Sequence, residues 1–251
     1  MERPKLSPKE TIIESALKMV EQRYQLSVED PNSHLNEIQS ILAENPGLNI
    51  VLYFNHISFA DPLFAFWFYF KHINPENSRQ IILPASHWHT DFFHNPAFAT
   101  AFRLGELLLG YQGVRIVQAY QLGEPEKYHY TEADAIKSYR RLLKAIGENP
   151  QNTTLIISPE GHRSEDGTLQ QGEDGITNLV RKLAPCILTP LGIVYEGDFK
   201  RNGLNFGTAV SLRPGQPFLW ENNRQKPTLE EIMTPLSSVL PPKMQGVWRQ
   251  N

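Results

Sequence analysis

The segment Asn55-His56-Ile57-Ser58-Phe59-Ala60-Asp61-Pro62 sets an imidazole and a carboxylate five residues apart, with an amide and a hydroxyl close by. A hydroxyl is a poor nucleophile near neutral pH, so its attack on an acyl carbon needs a base that titrates in that range, as imidazole does. A carboxylate on the second ring nitrogen would fix the tautomer and stabilise the imidazolium. Pro62 suits the first turn of a helix and Asp61 its N-cap, which sets the pair on either side of a tight strand-to-helix turn. Taken alone, the spacing equally fits a helix cap beside an incidental histidine.

A second segment, Ser158-Pro159-Glu160-Gly161-His162-Arg163-Ser164, follows the β-rich run TTLIIS. Gly161 permits close backbone approach, Glu160 can accept from a hydroxyl, and Arg163 can clasp a phosphate through parallel N–H bonds. The plainer alternative is a surface turn in which Glu160 and Arg163 pair.

Together, Asn55-His56-x-Ser58-x-x-Asp61-Pro62 and Pro159-Glu160-Gly161-His162-Arg163-Ser164 resemble the motifs of the glycerolipid acyltransferases, the family of the lysophosphatidate acyltransferases. The resemblance runs from Leu48 to Arg213 and takes in Pro185-Cys186-Ile187-Leu188-Thr189-Pro190, similar to that family's proline-bounded apolar block. It implies direct acyl transfer, without a covalent acyl-enzyme or a cofactor, from acyl-CoA or an acyl carrier protein to a hydroxyl of a glycerolipid-like acceptor. Under the resemblance His56 is the general base and Asp61 its orienting partner, while Asn55, Ser58, Glu160, Gly161, His162 and Arg163 bind substrate. Two positions depart from the family pattern. The stretch Gly113-Val114-Arg115-Ile116-Val117-Gln118-Ala119 lacks the arginine expected at its end, leaving Arg115 as the nearby substitute, and His162 stands where threonine is usual. A phosphorylated acceptor, held chiefly by Arg163, is favoured. A thioesterase in which His56 activates water, and a non-catalytic lipid-binding protein of the same fold, are the alternatives.

The elements that must position these residues are legible as alternation. From Leu48 onward β-rich runs alternate with helical stretches: LNIVLYFN then 61 to 72, RQIILPA then 96 to 110, GVRIVQA then 131 to 147, and TTLIIS then 174 to 184, followed by CILTPLGIVY and GTAVSLR. That order predicts an α/β fold, one domain over 47–251 with a largely parallel sheet flanked by helices. Both motifs then fall at the C-terminal ends of strands, where such sheets place their sites. An N-terminal helical segment, 1–46, is expected to pack on this core. Within it 9 to 26 form an amphipathic helix with Ile12, Ile13, Ala16, Leu17, Val20 and Tyr24 inward, and 34 to 45 form another. Thr228-x-x-Glu231 predicts a capping box opening a last helix.

Composition narrows the partners. The 251 residues carry 24 Lys and Arg against 27 Asp and Glu, a net charge of −3, so no global basic field exists to attract nucleic acid. Cys186 is the only cysteine, which rules out an internal disulfide and fits a reducing compartment. Its apolar surroundings predict an inert thiol. The first 20 residues show no secretory pattern, and the apolar run Pro62 to Phe70 is far short of the roughly 20 residues a spanning helix needs. A cytoplasmic protein with at most weak peripheral contact at a membrane surface is expected. In His87-Trp88-His89-Thr90-Asp91-Phe92-Phe93-His94 the spacing fits no metal-site pattern, and a cleft wall or a surface loop is expected there instead. Phe64, Phe66, Trp67, Phe68, Tyr69 and Phe70 are expected in the core, and Glu165, Asp166, Glu173 and Asp174 on a solvated surface.

Overall fold

The computed structural model describes residues 7–74, 79–221 and 223–249. Residues 1–6, part of the stretch scanned for a leader, lie outside them. The chain enters helix α1 (Pro8–Arg23) through a capping box, Ser7 accepting from the Glu10 N–H while the Glu10 carboxylate accepts from the Ser7 N–H. Ile13, Leu17 and Val20 form its buried face, and Ile12, one step around the helix, is exposed instead. The expected helix to residue 26 is cut short because Gln25–Val28 forms strand β1 of the main sheet. Tertiary pairing overrides local helical periodicity at this point. Helix α2 (His34–Glu44) follows, close to its expected bounds.

Strand β2 (Asn49–Phe54) is buried at every position, as a strand covered by helices on both faces must be. Helix α3 (Asp61–Phe68) continues into a π-helical turn, Tyr69–Ile73, and buries all six of its predicted core aromatics. Strand β3 (Gln80–Ser86), helix α4 (Pro96–Leu109) and strand β4 (Tyr111–Ile116) come next. Two short helices, α5 (Ala119–Leu122) and α6 (Pro125–Tyr128), lead into the long helix α7 (Glu132–Glu148), whose capping box joins Thr131 and Asp134. Strand β5 (Thr153–Ile157), helix α8 (Gly175–Leu183), and strands β6 (Cys186–Glu196), β7 (Ala209–Pro214) and β8 (Phe218–Trp220) complete the sheet. Helix α9 (Leu229–Ser238) opens on the predicted box, Thr228 with Glu231.

The strand order is β1-β7-β6-β2-β5-β3-β4, with β8 pairing β6. Pairing is parallel except where β7 and β8 run against β6. The connection from β2 leads past β5 to β3, whereas that from β5 leads past β2 to β6. Right-handed crossovers therefore send α3 and α8 to opposite faces of the sheet. The carboxyl ends of β2 and β5 stand at the topological switch point, where sheets of this kind place their sites.

Candidate active site

Strands β2 and β5 are direct neighbours, with Tyr53 opposite Ile157, so the two motifs leave the sheet side by side. His56 is clamped through its own backbone. Its N–H donates to Glu160 Oε1 at 2.6 Å, and its carbonyl accepts from the Ser164 N–H at 2.7 Å. The other Glu160 oxygen accepts from the Gln170 N–H at 2.8 Å. Glu160 is fully buried, and both of its oxygens are occupied in holding the two loops together. Burial, against the pull of those two backbone donors and with Asp61 and Asp166 adding to it, pushes its carboxyl up to about 8. The alternative of a surface turn in which Glu160 pairs with Arg163 is not realised, because the Glu160 carboxyl group points inward.

Asp61 sits at the first position of α3 and does not cap it; Ala60 occupies the N-cap. Its carboxylate turns back over the preceding loop. Oδ2 accepts from Ile57 N–H at 2.5 Å and Ser58 N–H at 2.7 Å, and stands 3.0 Å from His56 Nδ1. Oδ1 accepts from the Tyr195 hydroxyl at 2.6 Å. With both oxygens satisfied and no exposed surface, the group is locked in position. Nearby backbone donors and the carboxylate's location impose the orientation of the imidazole: Nδ1 faces Asp61, and the ring keeps 20% of its side-chain surface in contact with solvent.

Asn55 and Ser58 are spent on structure. Asn55 exchanges two hydrogen bonds with the backbone of Ile193, extending the β2–β6 ladder by one step. The Ser58 hydroxyl donates to the Gly203 carbonyl and accepts from Asn205 Nδ2, tying the His56–Asp61 turn to the loop between β6 and β7. Gly161 has φ +70°, and a Cβ there would come within 2.9 Å of Glu173, so the turn requires glycine. His162 Nδ1 lies 2.8 Å from the Glu160 carbonyl.

No protein-family model matches the chain, and no curated protein matches it. Function therefore has to be argued from the geometry.

Arg163 lies over the ring of Phe59, 3.7 Å from its centroid, and donates to the Arg201 carbonyl and to Asn202 Oδ1. Arg201 returns a bond to the Arg163 carbonyl at 2.8 Å. Desolvation first, then the Arg201 charge, lowers the basicity of the Arg163 guanidinium. Two cations thus share one corner of the site, and the buried Arg201 Nε has no hydrogen-bond partner among the described residues. Arg115 is on the edge strand β4, near His87 rather than in this corner.

The segment after β3 comes against the turn that follows β2 through His89. His89 packs edge-on against Phe59, and desolvation, with Arg163 and His56 nearby, lowers its imidazole to about 4. His87 pairs with the Tyr130 hydroxyl and His94 with Asp91, so the three imidazoles diverge. No cluster of three metal-ligating side chains occurs among the described residues. Cys186 is buried, and its thiol is pushed up to about 12 by desolvation. No helix among the described residues is long and apolar enough to cross a membrane.

Tyr195, Arg201 and Asn205 escaped the sequence reading. Tyr195 carried a usable signal: a tyrosine near the end of a ten-residue buried run needs a partner for its hydroxyl. Arg201 and Asn205 stand in a loop whose turn residues indicate flexibility of path but no partner.

Proposed function

We propose that the protein transfers an acyl group from a thioester to the hydroxyl of a lipid-like, phosphorylated acceptor. The observation that carries this is a partly exposed imidazole whose Nδ1 faces a buried, four-fold hydrogen-bonded carboxylate. With Nδ1–H donating to Asp61, Nε2 is left as the base. It takes the proton of the acceptor hydroxyl as the oxygen attacks the thioester carbonyl. The tetrahedral intermediate then collapses with loss of the thiolate, which recovers the proton from the imidazolium. Asp61 balances the transient positive charge throughout. Glu160, Asn55 and Ser58 act as positioning residues, since their polar atoms are committed to the backbone and loops that hold His56.

Arg163 and Arg201 form the acceptor's anion corner. The two adjacent guanidinium groups repel each other, with only the exposed Glu165 carboxylate, 3.8 Å from Arg201, as a counter-charge among the described residues, and a phosphate offers the oxygen spacing a planar fork requires. Arg201, rather than Arg115, takes the part of the arginine missing after Gly113.

The test is incubation of the pure protein with a thioester and a panel of lipid alcohols with and without phosphate, followed by mass analysis. His56→Ala should lower turnover about 100-fold or more while the fold survives. Release of free fatty acid at the same rate with and without acceptor would instead identify a thioesterase. No product of either kind would leave a binding protein.

A further inference from the structure

Glu160 has no regular element beneath it. Residues 158–174, between β5 and α8, form neither helix nor strand. The middle of this loop folds around one carboxylate oxygen: Asp166 Oδ1 accepts from the Ser164 and Thr168 hydroxyls, the Thr168 N–H and the Gln170 side-chain amide. Such a knot fixes the shape of the loop, but it does not fix where the loop lies against the sheet. That placement matters to the site. The Gln170 N–H is one of the two donors that hold Glu160, and Glu160 in turn holds the N–H of His56.

The chain after α9 supplies the placement. It sinks Leu240 and Met244 into the core and makes two 3-10 turns, Pro242–Met244 and Gly246–Trp248. This arm grips Leu169 and Gln170 at three points. The Met244 carbonyl accepts from the Leu169 N–H at 2.7 Å. Trp248 Nε1–H donates to the Gln170 carbonyl at 3.1 Å. Between them Gly246, at φ +55°, lies against the Leu169 carbonyl, where a Cβ would overlap the oxygen, so the close approach requires glycine. The Leu169 carbonyl and the Gln170 N–H belong to one planar peptide group. The arm therefore sets the tilt of the plane whose N–H points at Glu160.

Trp248 is itself tied back to a helix, since its carbonyl accepts from the Ser237 hydroxyl of α9 at 3.0 Å. A series of hydrogen bonds thus runs from α9 through Trp248, Gln170 and Glu160 to the backbone of His56, and no link in it exceeds 3.1 Å. Packing alone does not account for the arrangement. Leu240 and Met244 already bury the arm, whereas Trp248 stays partly exposed and spends its one polar side-chain group on Gln170. Arg163, on the same loop as Glu160, has separate support from Phe59 and from the residues around Arg201. Loosening the arm therefore acts on the base before it acts on the anion corner.

We propose that Trp248 is a positioning residue for the base, holding the backbone of His56 in place through Gln170 and Glu160. The effect on turnover rests on the acyl-transfer reading; the hold on the His56 backbone does not. Without the indole donor the Leu169–Gln170 peptide tilts, Glu160 loses the donor on one oxygen, and the His56 N–H moves with the carboxyl group that holds it. A displacement of the base of well under an ångström is enough to slow proton transfer.

The test uses Trp248→Phe in the full chain, which keeps an aromatic ring in place and removes the donor. Hydrogen exchange read by mass spectrometry should speed up about fivefold for the amides of 54–60 and 168–172, with those of 111–116 unchanged. An equal gain across the chain, or none at 54–60, means that the arm only stabilises the fold and overturns the proposal. In kinetics, kcat should fall about tenfold while KM for thioester and for acceptor stays within about twofold. A wild-type kcat in folded Trp248→Phe also overturns it. The route through Glu160 is read from a double-mutant cycle. In a Glu160→Gln background, where either orientation of the amide already breaks the series, Trp248→Phe should lower kcat by no more than about twofold. Losses that multiply in the double variant refute that route. If the wild type turns over no thioester, the acyl-transfer reading fails, and the exchange of 54–60 still decides the hold on His56.

Discussion

Replacing Asp61 by asparagine removes one charge and almost no volume, and the site predicts what the amide will do. Oδ2 receives two fixed backbone donors, from Ile57 and Ser58, so the amide oxygen must take that place and the NH2 must face Tyr195. The tyrosine hydroxyl can rotate to accept instead of donate. His56 Nδ1, 3.0 Å from the same oxygen, keeps an acceptor and therefore keeps its tautomer. What is lost is the attraction between carboxylate and imidazolium when the base has taken its proton. With an effective dielectric of about 20 and a charge separation of about 4 Å, that attraction is about 4 kcal/mol. At about 1.4 kcal/mol per decade the transition state rises enough to slow turnover about 1,000-fold. The loss should appear in kcat, with KM for either substrate nearly constant, because the charge pair exists only during reaction. Rates with a saturating thioester and acceptor, on protein checked for native circular dichroism, provide the assay. Turnover of folded Asp61→Asn within about tenfold of wild type would refute the role given to the pair.

Tyr195→Phe strips one buried carboxylate oxygen of its only donor among the described residues and should cost about 1–3 kcal/mol in a denaturant titration, with a smaller effect on rate; an unchanged midpoint would show that the hydroxyl is idle. Glu160 is held above its ordinary range, up to about 8, so its stabilising contribution is complete below its unfolded value near 4.5 and is lost as the pH rises through about 8. Glu160→Gln should flatten that decline in unfolding free energy while lowering stability at pH 5, because its NH2 must face either the His56 or the Gln170 N–H; a slope equal to that of wild type would count against the assignment. Arg163→Lys keeps the charge but loses the fork and the planar stacking on Phe59, so the KM for a phosphorylated acceptor should rise on the order of 100-fold, and equal use of matched acceptors with and without phosphate by the wild type would exclude the anion corner.

Much of the fold was legible because its strands are buried on both faces. NIVLYF and CILTPLGIVY are apolar but for Asn49 and Thr189, and such runs between amphipathic helices have few other arrangements. Strand β1 was not legible, since Gln25–Val28 is four residues long, half polar, and held by a partner nearly two hundred positions away, Ala209 to Leu212. The closeness of His56 to Asp61 was legible from a turn of fixed length. How Asp61 achieves it was not: capping statistics favour an N-cap, and the competing backbone donors at Ile57 and Ser58 exist only once the turn has folded. Glu160 illustrates the limit more sharply. Beside an arginine in a glycine turn, a glutamate has the signature of an exposed ion pair, and only the adjacency of β2 and β5 reveals that it lies beneath His56.

The position of β2 governs when the proposed site can assemble during synthesis. It is wedged between β5 and β6, neither of which exists until residues 157 and 196 have emerged from the ribosome. Before residue 157 this six-residue, largely apolar strand has no partner on either edge, and until residue 196 it still lacks one, and such edges invite association with other chains. The base is equally unformed at that stage, because Glu160, Ser164 and Tyr195, which hold His56 and Asp61, are all carried by the later half of the chain. A ribosome stalled before residue 196 would therefore expose an unpaired strand edge at the same point in translation at which the site is still unassembled.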